Sequence, residues 1–379
     1  MQITVLKETQ ADESRVALIP ESVKKLIALK ARIAVESNAG QNAGASDADY
    51  EAAGASVSAD RAALLAATDV LVAVNRPPTE DLARLKKGAV VIGFLRPLDE
   101  PEALRPMLQQ ELTAFSVELI PRTTRAQAMD ALSSMATIVG YKAVLLAADR
   151  VPRMFPMLTT AAGTVPPAKV LVLGAGVAGL QAIATARRLG AVVEGFDVRA
   201  AAGEAVRSLG AKFLAVDMGG ESGEGGGGYA KEVTEEVMER SRALIAQQAK
   251  QTDCIVTSAA IPGRKAPILI TDEAVHNMKR GSVIVDLAGA TGGNCTLSKP
   301  GATIEVNGVS IMCPLNLAAM VPVHASQLYS RNLTAFLTPM IQEGELKLDF
   351  NDDIVGPSCA LHHGAAKHPR LQAALTATS

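Results

Sequence analysis

The chain has 379 residues, of which 48% are hydrophobic and 20% charged, and its formal net charge is −2. That length exceeds what one core usually supports, so two folded domains are expected, and the balance excludes a disordered or fibrous chain. Aromatic residues make up 3% and tryptophan is absent, so neither a basic patch nor a stacking platform is offered to nucleic acid.

Cys254, Cys295, Cys313 and Cys359 form no C-x-x-C pair. No disulfide framework and no metal site are expected, which suits a reducing cytoplasm. The stretch Met1–Lys7 begins at once in a strand, with no charged segment followed by a long apolar one, and no run of about 18 uninterrupted apolar residues follows. No signal peptide and no direct membrane insertion are expected.

In chain order, the apolar runs Ile3–Leu6, Arg32–Glu36, Val70–Val74, Ala89–Leu95 and Thr113–Glu118 read as strands. Between them, Glu21–Leu29 after Pro20 and Glu80–Lys86 after Thr79 read as helices. Such alternation predicts parallel βαβ units. Arg122–Leu146 reads as a loop followed by a long helix that joins two domains. Pro166-Pro167 then stiffens the entry to a central strand, and further strands are expected at Ala191–Phe196, Phe213–Val216, Cys254–Ser258, Val283–Leu287 and Val309–Cys313.

Inside the second series, Lys169–Leu173 runs into Gly174-Ala175-Gly176-Val177-Ala178-Gly179, then a helix-like segment and a strand ending on Asp197. These parts make a dinucleotide fingerprint. Gly174 permits the tight turn, Gly176 lets the backbone approach a pyrophosphate, and Gly179 lets helix pack on strand, with the phosphates at the positive helix end. The carboxylate of Asp197 is placed to accept both hydroxyl protons of an adenosine ribose and to repel a 2′-phosphate, which selects NAD over NADP. Arg199, which in some proteins pairs with a 2′-phosphate, reads here as a solvated surface charge.

Seven of the ten residues Gly219–Gly228 are glycine. Followed by Tyr229 and a helix over Lys231–Gln248, this segment reads as a mobile lid. A helix over His324–Leu337 returns to the first domain and makes it discontinuous. Phe350–Ser379 stays unplaced. The fold class expected is α/β, with two Rossmann-like doubly wound parallel-sheet domains joined by long helices, residues 1–133 plus 324–379 and residues 134–323.

Several stretches together resemble the alanine dehydrogenase and proton-translocating transhydrogenase family. They are Lys7-Glu8 with Ser14-Arg15-Val16-Ala17, Pro121-Arg122 through Ser133-Ser134, Ala161 through Pro167, the glycine fingerprint, and Asp286 with Gly292-Gly293-Asn294. Alanine dehydrogenases carry a K-V-K-E-P stretch and a histidine at the end of the next strand. Here the corresponding stretches read Ala73-Val74-Asn75-Arg76-Pro77 and Gly93-Phe94-Leu95-Arg96, so that acid/base pair is absent.

The resemblance therefore implies the transhydrogenase branch: a component that binds NAD(H) and exchanges hydride with NADP(H) held on a partner component. It implies that Arg122, Asp130 and Ser133 hydrogen-bond the nicotinamide end while Gln127 reaches toward the partner's nucleotide, and that Val177, Ala178, Val198, Arg199, Tyr229 and Asp286 belong to the cofactor site. Taken alone, Arg125 and Asp130 read as a surface ion pair. The resemblance further implies a homodimer, held at the cytoplasmic face of a bacterial inner membrane by membrane-spanning and NADP(H)-binding components. An amino-acid dehydrogenase and an NAD-sensing regulatory module are the alternatives.

Overall fold

In the computed structural model, which describes residues 1–220, 222–225, 230–261 and 264–377, the alternating runs fold into two units, Met1–Met135 with Ala318–Ser379 and Ala136–Leu317. The first opens with strands β1 (Gln2–Val5), β2 (Arg32–Glu36), β3 (Ser56–Ser58), β4 (Val70–Asn75), β5 (Val90–Phe94) and β6 (Thr113–Ser116). Helices α1 (Pro20–Ala28), α2 (Asp47–Ala52), α3 (Arg61–Ala67), α4 (Thr79–Leu82) and α5 (Arg105–Gln109) connect them. The strands lie in the order β3-β2-β1-β4-β5-β6, all parallel. Val70–Val74 is buried throughout, as expected of a strand covered on both faces. Pro20 starts α1 at a position needing no N–H, and Ser46 with Asp49 forms a capping box on α2. The helix expected over Glu80–Lys86 is a single turn ending at Leu82.

Helix α6 (Ala131–Arg150) leads into the second unit. There β7 (Leu158–Thr160) and β8 (Gly163–Val165) make a separate hairpin. They are followed by β9 (Lys169–Leu173), α7 (Val177–Arg188), β10 (Val192–Phe196), α8 (Ala202–Ser208), β11 (Lys212–Leu214), α9 (Glu235–Ala249) and β12 (Cys254–Thr257). The unit ends with α10 (Asp272–His276), β13 (Val283–Asp286), β14 (Thr303–Val306) and β15 (Val309–Met312). The order β11-β10-β9-β12-β13-β15-β14 repeats the arrangement of the first sheet, with the progression of strands across the sheet switching sides between the parallel neighbours β9 and β12. Strand β9 shows how the layers arise. Val170 and Val172 join one core with Ala182, Ile183 and Val206, whereas Leu171 and Leu173 point into the other with Ile245, Ile255 and Val275. Each such side chain contributes about 1.5–3 kcal/mol by leaving water.

The returning segment holds α11 (Pro322–Leu337), a two-stranded pair β16 (Ile341–Gln342) and β17 (Glu345–Leu346), α12 (Val355–Ser358), β18 (Cys359–His362), β19 (Ala365–Ala366) and α13 (Pro369–Ala377). Strand β18 pairs antiparallel with β6, so some of the stretch that the sequence left unplaced extends the first sheet. Strand β14 likewise pairs antiparallel with β15. Each sheet is thus parallel at its centre and antiparallel at one edge. Three polar residues that helix α11 buries have long-range partners: Ser326 and Ser330 accept from the N–H groups of Val16 and Ile19 at 3.0 Å, and Tyr329 donates to the Ala73 carbonyl at 2.8 Å.

Candidate functional site

The loop between β6 and α6 is a run of tight turns, Thr124–Met129, pinned on several sides within the first unit. Ala126 is buried. Asn332 of α11 donates to the Ala128 carbonyl at 2.8 Å. Arg125 is paired with Asp352, at 2.8 Å, and with Asp353, and this holds the Asp352 carboxyl far below the usual carboxylate range. The surface pair of Arg125 with Asp130 expected from sequence is thereby replaced. Asp130 instead caps α6, accepting from the Ser133 N–H at 2.8 Å and from its hydroxyl at 2.6 Å. Arg122 and Gln127 are exposed on this braced loop, and the Gln127 carboxamide makes no hydrogen bond among the described residues.

At the carboxyl ends of β1, β4 and β5 lies a cavity of about 610 Å³ lined by Lys7, Glu8, Asn75, Arg76, Phe94 and Arg96, among others. Glu8 accepts from the Val74 N–H at 2.6 Å, and the Asn75 side chain bridges it, at 3.4 Å, to Glu13, at 2.9 Å. Burial pushes the Glu8 carboxyl from 4.5 up to about 7, against the lowering effect of its backbone donors. A carboxyl held above its ordinary value binds its proton more tightly when folded, so its contribution is complete below pH 4.5 and is lost as the pH rises toward 7. The stability of the wild type relative to Glu8→Gln is therefore expected to fall by up to about 3 kcal/mol between pH 4.5 and 7. Urea unfolding of both proteins across that range checks it. A constant difference would remove Glu8 as a titrating group.

In the second unit the fingerprint occupies the turn from β9 into α7, at the reversal of the sheet. Gly174 has φ +91°, a conformation that glycine tolerates. A Cβ on Gly179 would fall 1.7 Å from the Gly174 carbonyl oxygen, so the helix seats directly on the turn. A Cβ on Gly176 would meet nothing within 4 Å, and Gly176 and Val177 are exposed while Ala178 is half-buried. Open space at a bare helix start, with Arg187 and Arg188 at its far end and no acid in its first turn, fits a pyrophosphate.

Asp197 follows β10, is buried, and accepts from the Ala175 N–H at 2.7 Å, which ties it to the glycine turn. Arg199 is no solvated surface charge. Its side chain is 13% exposed and grips Asp197 through Nε at 2.9 Å and Nη2 at 2.7 Å. Val198 between them is half-buried. Asp286 lies apart from this group, fully buried at the end of β13. Its carboxylate accepts from the N–H groups of Ala288, Asn294 and Cys295 and from the Ser298 hydroxyl, so it holds the Gly292–Asn294 turn from beneath and presents no open face. Tyr229, and much of the glycine-rich segment read as a lid, lie outside the described residues.

Three contributions escaped the sequence reading. Asn332 and Asp352 brace a loop some 200 residues away in the chain, and no local pattern announces such a pairing. Gly140, in mid-helix, is explained by the Ala178 carbonyl, which a Cβ there would approach to 2.1 Å.

The family described as alanine dehydrogenase/PNT, N-terminal domain, matches residues 4–139, and that described as alanine dehydrogenase/PNT, C-terminal domain, matches residues 143–369. The chain is 45% identical to an NAD(P) transhydrogenase subunit alpha polypeptide of Rhodospirillum rubrum, over 98% of this chain and 99% of that one. A solved transhydrogenase from Sinorhizobium meliloti is similar with a TM-score of 0.88 at 45% identity, covering 97% of this chain and all of the other. A solved L-alanine dehydrogenase is similar with a TM-score of 0.84 at 26% identity over the whole of both chains.

Proposed function

The chain belongs to the alanine dehydrogenase/PNT family, and from that premise we propose that it is the NAD(H)-binding component of a proton-translocating transhydrogenase. In this reading it exchanges hydride between NAD(H) on this chain and NADP(H) on a partner component, and works at the cytoplasmic face of a bacterial inner membrane beside membrane-spanning subunits. The observation that carries it is the loop 122–133. Its backbone is braced by Asn332, Asp352 and Asp353, yet it leaves Arg122 and Gln127 exposed and the Gln127 amide unspent.

Bound NAD(H) supplies the hydride, and direct transfer requires no proton from the protein. The work left to the chain is positioning. The glycine turn and the start of α7 hold the phosphates, Asp197 the adenosine ribose, and Arg122, Asp130 and Ser133 the nicotinamide end, while Gln127 faces the partner's nucleotide. A homodimer is supported by the β7–β8 hairpin, whose residues are all exposed and include Leu158 and Val165 beside Met157, an apolar arm with nothing of its own chain to cover it among the described residues.

Calorimetric titration tests the nucleotide assignment. NADH is expected to bind well and NADPH poorly, and Asp197→Ala to weaken NADH by about 1–3 kcal/mol, the range for hydrogen bonds to a charged group. Equal affinity for both nucleotides would sink the assignment.

A self-sufficient amino-acid dehydrogenase is the second reading, and Glu8 favours it, since a carboxyl at about 7 on a cavity is suited to moving a proton. Against it, Asn75 is engaged with two carboxylates, and Arg96 is ion-paired with Glu100 and cannot act as a base. No oxidation of alanine with NAD is expected. Turnover of about 1 per second or more would place the chain among the amino-acid dehydrogenases instead.

A further inference from the structure

The carboxylate of Asp197 has no acceptor position left for a sugar. Oδ1 accepts from the backbone N–H of Arg199 at 2.8 Å and from its Nε at 2.9 Å; Oδ2 accepts from the Ala175 N–H and from Arg199 Nη2, both at 2.7 Å. Four donors fill the lone-pair sites that a carboxylate offers. Two are backbone groups fixed by the turn. The other two belong to a side chain that can leave.

The backbone that carries the pair is itself packed: Gly223 is buried, and a Cβ there would fall 2.5 Å from the Val198 carbonyl oxygen and 3.2 Å from the Arg199 backbone nitrogen. The guanidinium is held charged by its hydrogen bonds to Asp197 and, at longer range, by the carboxylate of Glu224.

We propose that Arg199 tunes the nucleotide preference of this site by competing for the two acceptor positions of Asp197 that an adenosine ribose needs. The inference rests on Asp197 being the ribose partner. Binding exchanges the two guanidinium donors for the 2′- and 3′-hydroxyls, so the carboxylate keeps four donors and the guanidinium swings aside at the ribose edge. The exchange weakens NADH binding, because a charge-assisted bidentate pair must open first. The same positive charge, left beside the ribose edge, offsets the repulsion that a bare Asp197 would exert on a 2′-phosphate. Arg199 thus narrows the preference that Asp197 alone would give.

The test is calorimetric titration of the full chain with NADH and with NADPH, for the wild type, Arg199→Ala, Arg199→Lys and Asp197→Ala. Arg199→Ala is expected to bind NADH about tenfold more tightly and NADPH about tenfold more weakly, each the equivalent of about 1.4 kcal/mol. Arg199→Lys, which keeps the charge and loses the fork, is expected to tighten NADH while leaving NADPH near wild type. If neither Arg199 variant tightens NADH while Asp197→Ala weakens it, the ribose reading stands and Arg199 is only a brace. If Asp197→Ala binds NADH as the wild type does, the ribose reading itself falls and this proposal with it.

Discussion

Replacing Gly179 by alanine is expected to lower the affinity for NADH by about 100-fold and to destabilise the second unit. The added Cβ would lie 1.7 Å from the Gly174 carbonyl oxygen and 2.9 Å from its carbon, which are backbone atoms with no rotamer to give. Either α7 moves off β9 or the turn deforms, and both displace the N–H groups at the start of the helix. Overpacking costs about 1–3 kcal/mol where side chains can adjust. A backbone clash belongs at the top of that range, and about 2.7 kcal/mol is a factor of about 100.

Gly176→Ala separates the ligand from the fold. Its Cβ meets nothing within 4 Å, so thermal stability should stay within about 0.5 kcal/mol of wild type. The methyl group would nevertheless stand where the pyrophosphate approaches the backbone, and NADH binding should weaken about tenfold or more. Thermal melts and calorimetry on both variants decide it. Wild-type NADH affinity in Gly176→Ala would show that the turn is a packing device only.

Gln127→Asn is expected to reduce hydride transfer at least about tenfold while leaving NADH affinity nearly unchanged. Transfer needs the two rings within about 3–3.5 Å, and misplacement by about 1 Å lowers a rate ~100-fold. The substitution shortens the side chain by one methylene and keeps the amide. Because the Gln127 side chain is exposed and bonded to nothing among the described residues, the loop has no contact to lose. Its braces at Ala128, through Asn332, and at Arg125, through Asp352, remain in place. A fall in rate with binding intact is the mark of an interaction made only on the way to transfer. An unchanged rate would remove Gln127 from the mechanism, and a matching loss of NADH affinity would make it an ordinary ligand contact.

What the sequence made legible was what local chemistry governs. Lys169–Leu173 reads as a buried strand because its aliphatic residues leave no polar face, and the three glycines stand at positions fixed by backbone geometry within one turn. What stayed hidden depends on partners far along the chain. The short strand Cys359–His362 has no pattern of its own and is defined by pairing with β6, some 245 residues earlier. The burial that lifts the Glu8 carboxyl, against the opposing hydrogen bonds from Val74 and Asn75, cannot be seen in Lys7-Glu8. Arg199 departs from the sequence expectation for a subtler reason. Two residues apart, an arginine and an aspartate meet or splay according to the turn between them, and only the conformation after β10 folds this guanidinium back.

Stopped-flow mixing of the NADH-loaded chain with a partner component carrying NADP, or an analogue distinguishable by absorbance, tests the central claim most directly. Rapid hydride transfer is expected in the mixture and none when either protein is omitted. Absence of transfer in the complete mixture, with both nucleotides demonstrably bound, would contradict it and leave a protein that senses NAD(H) without passing hydride on.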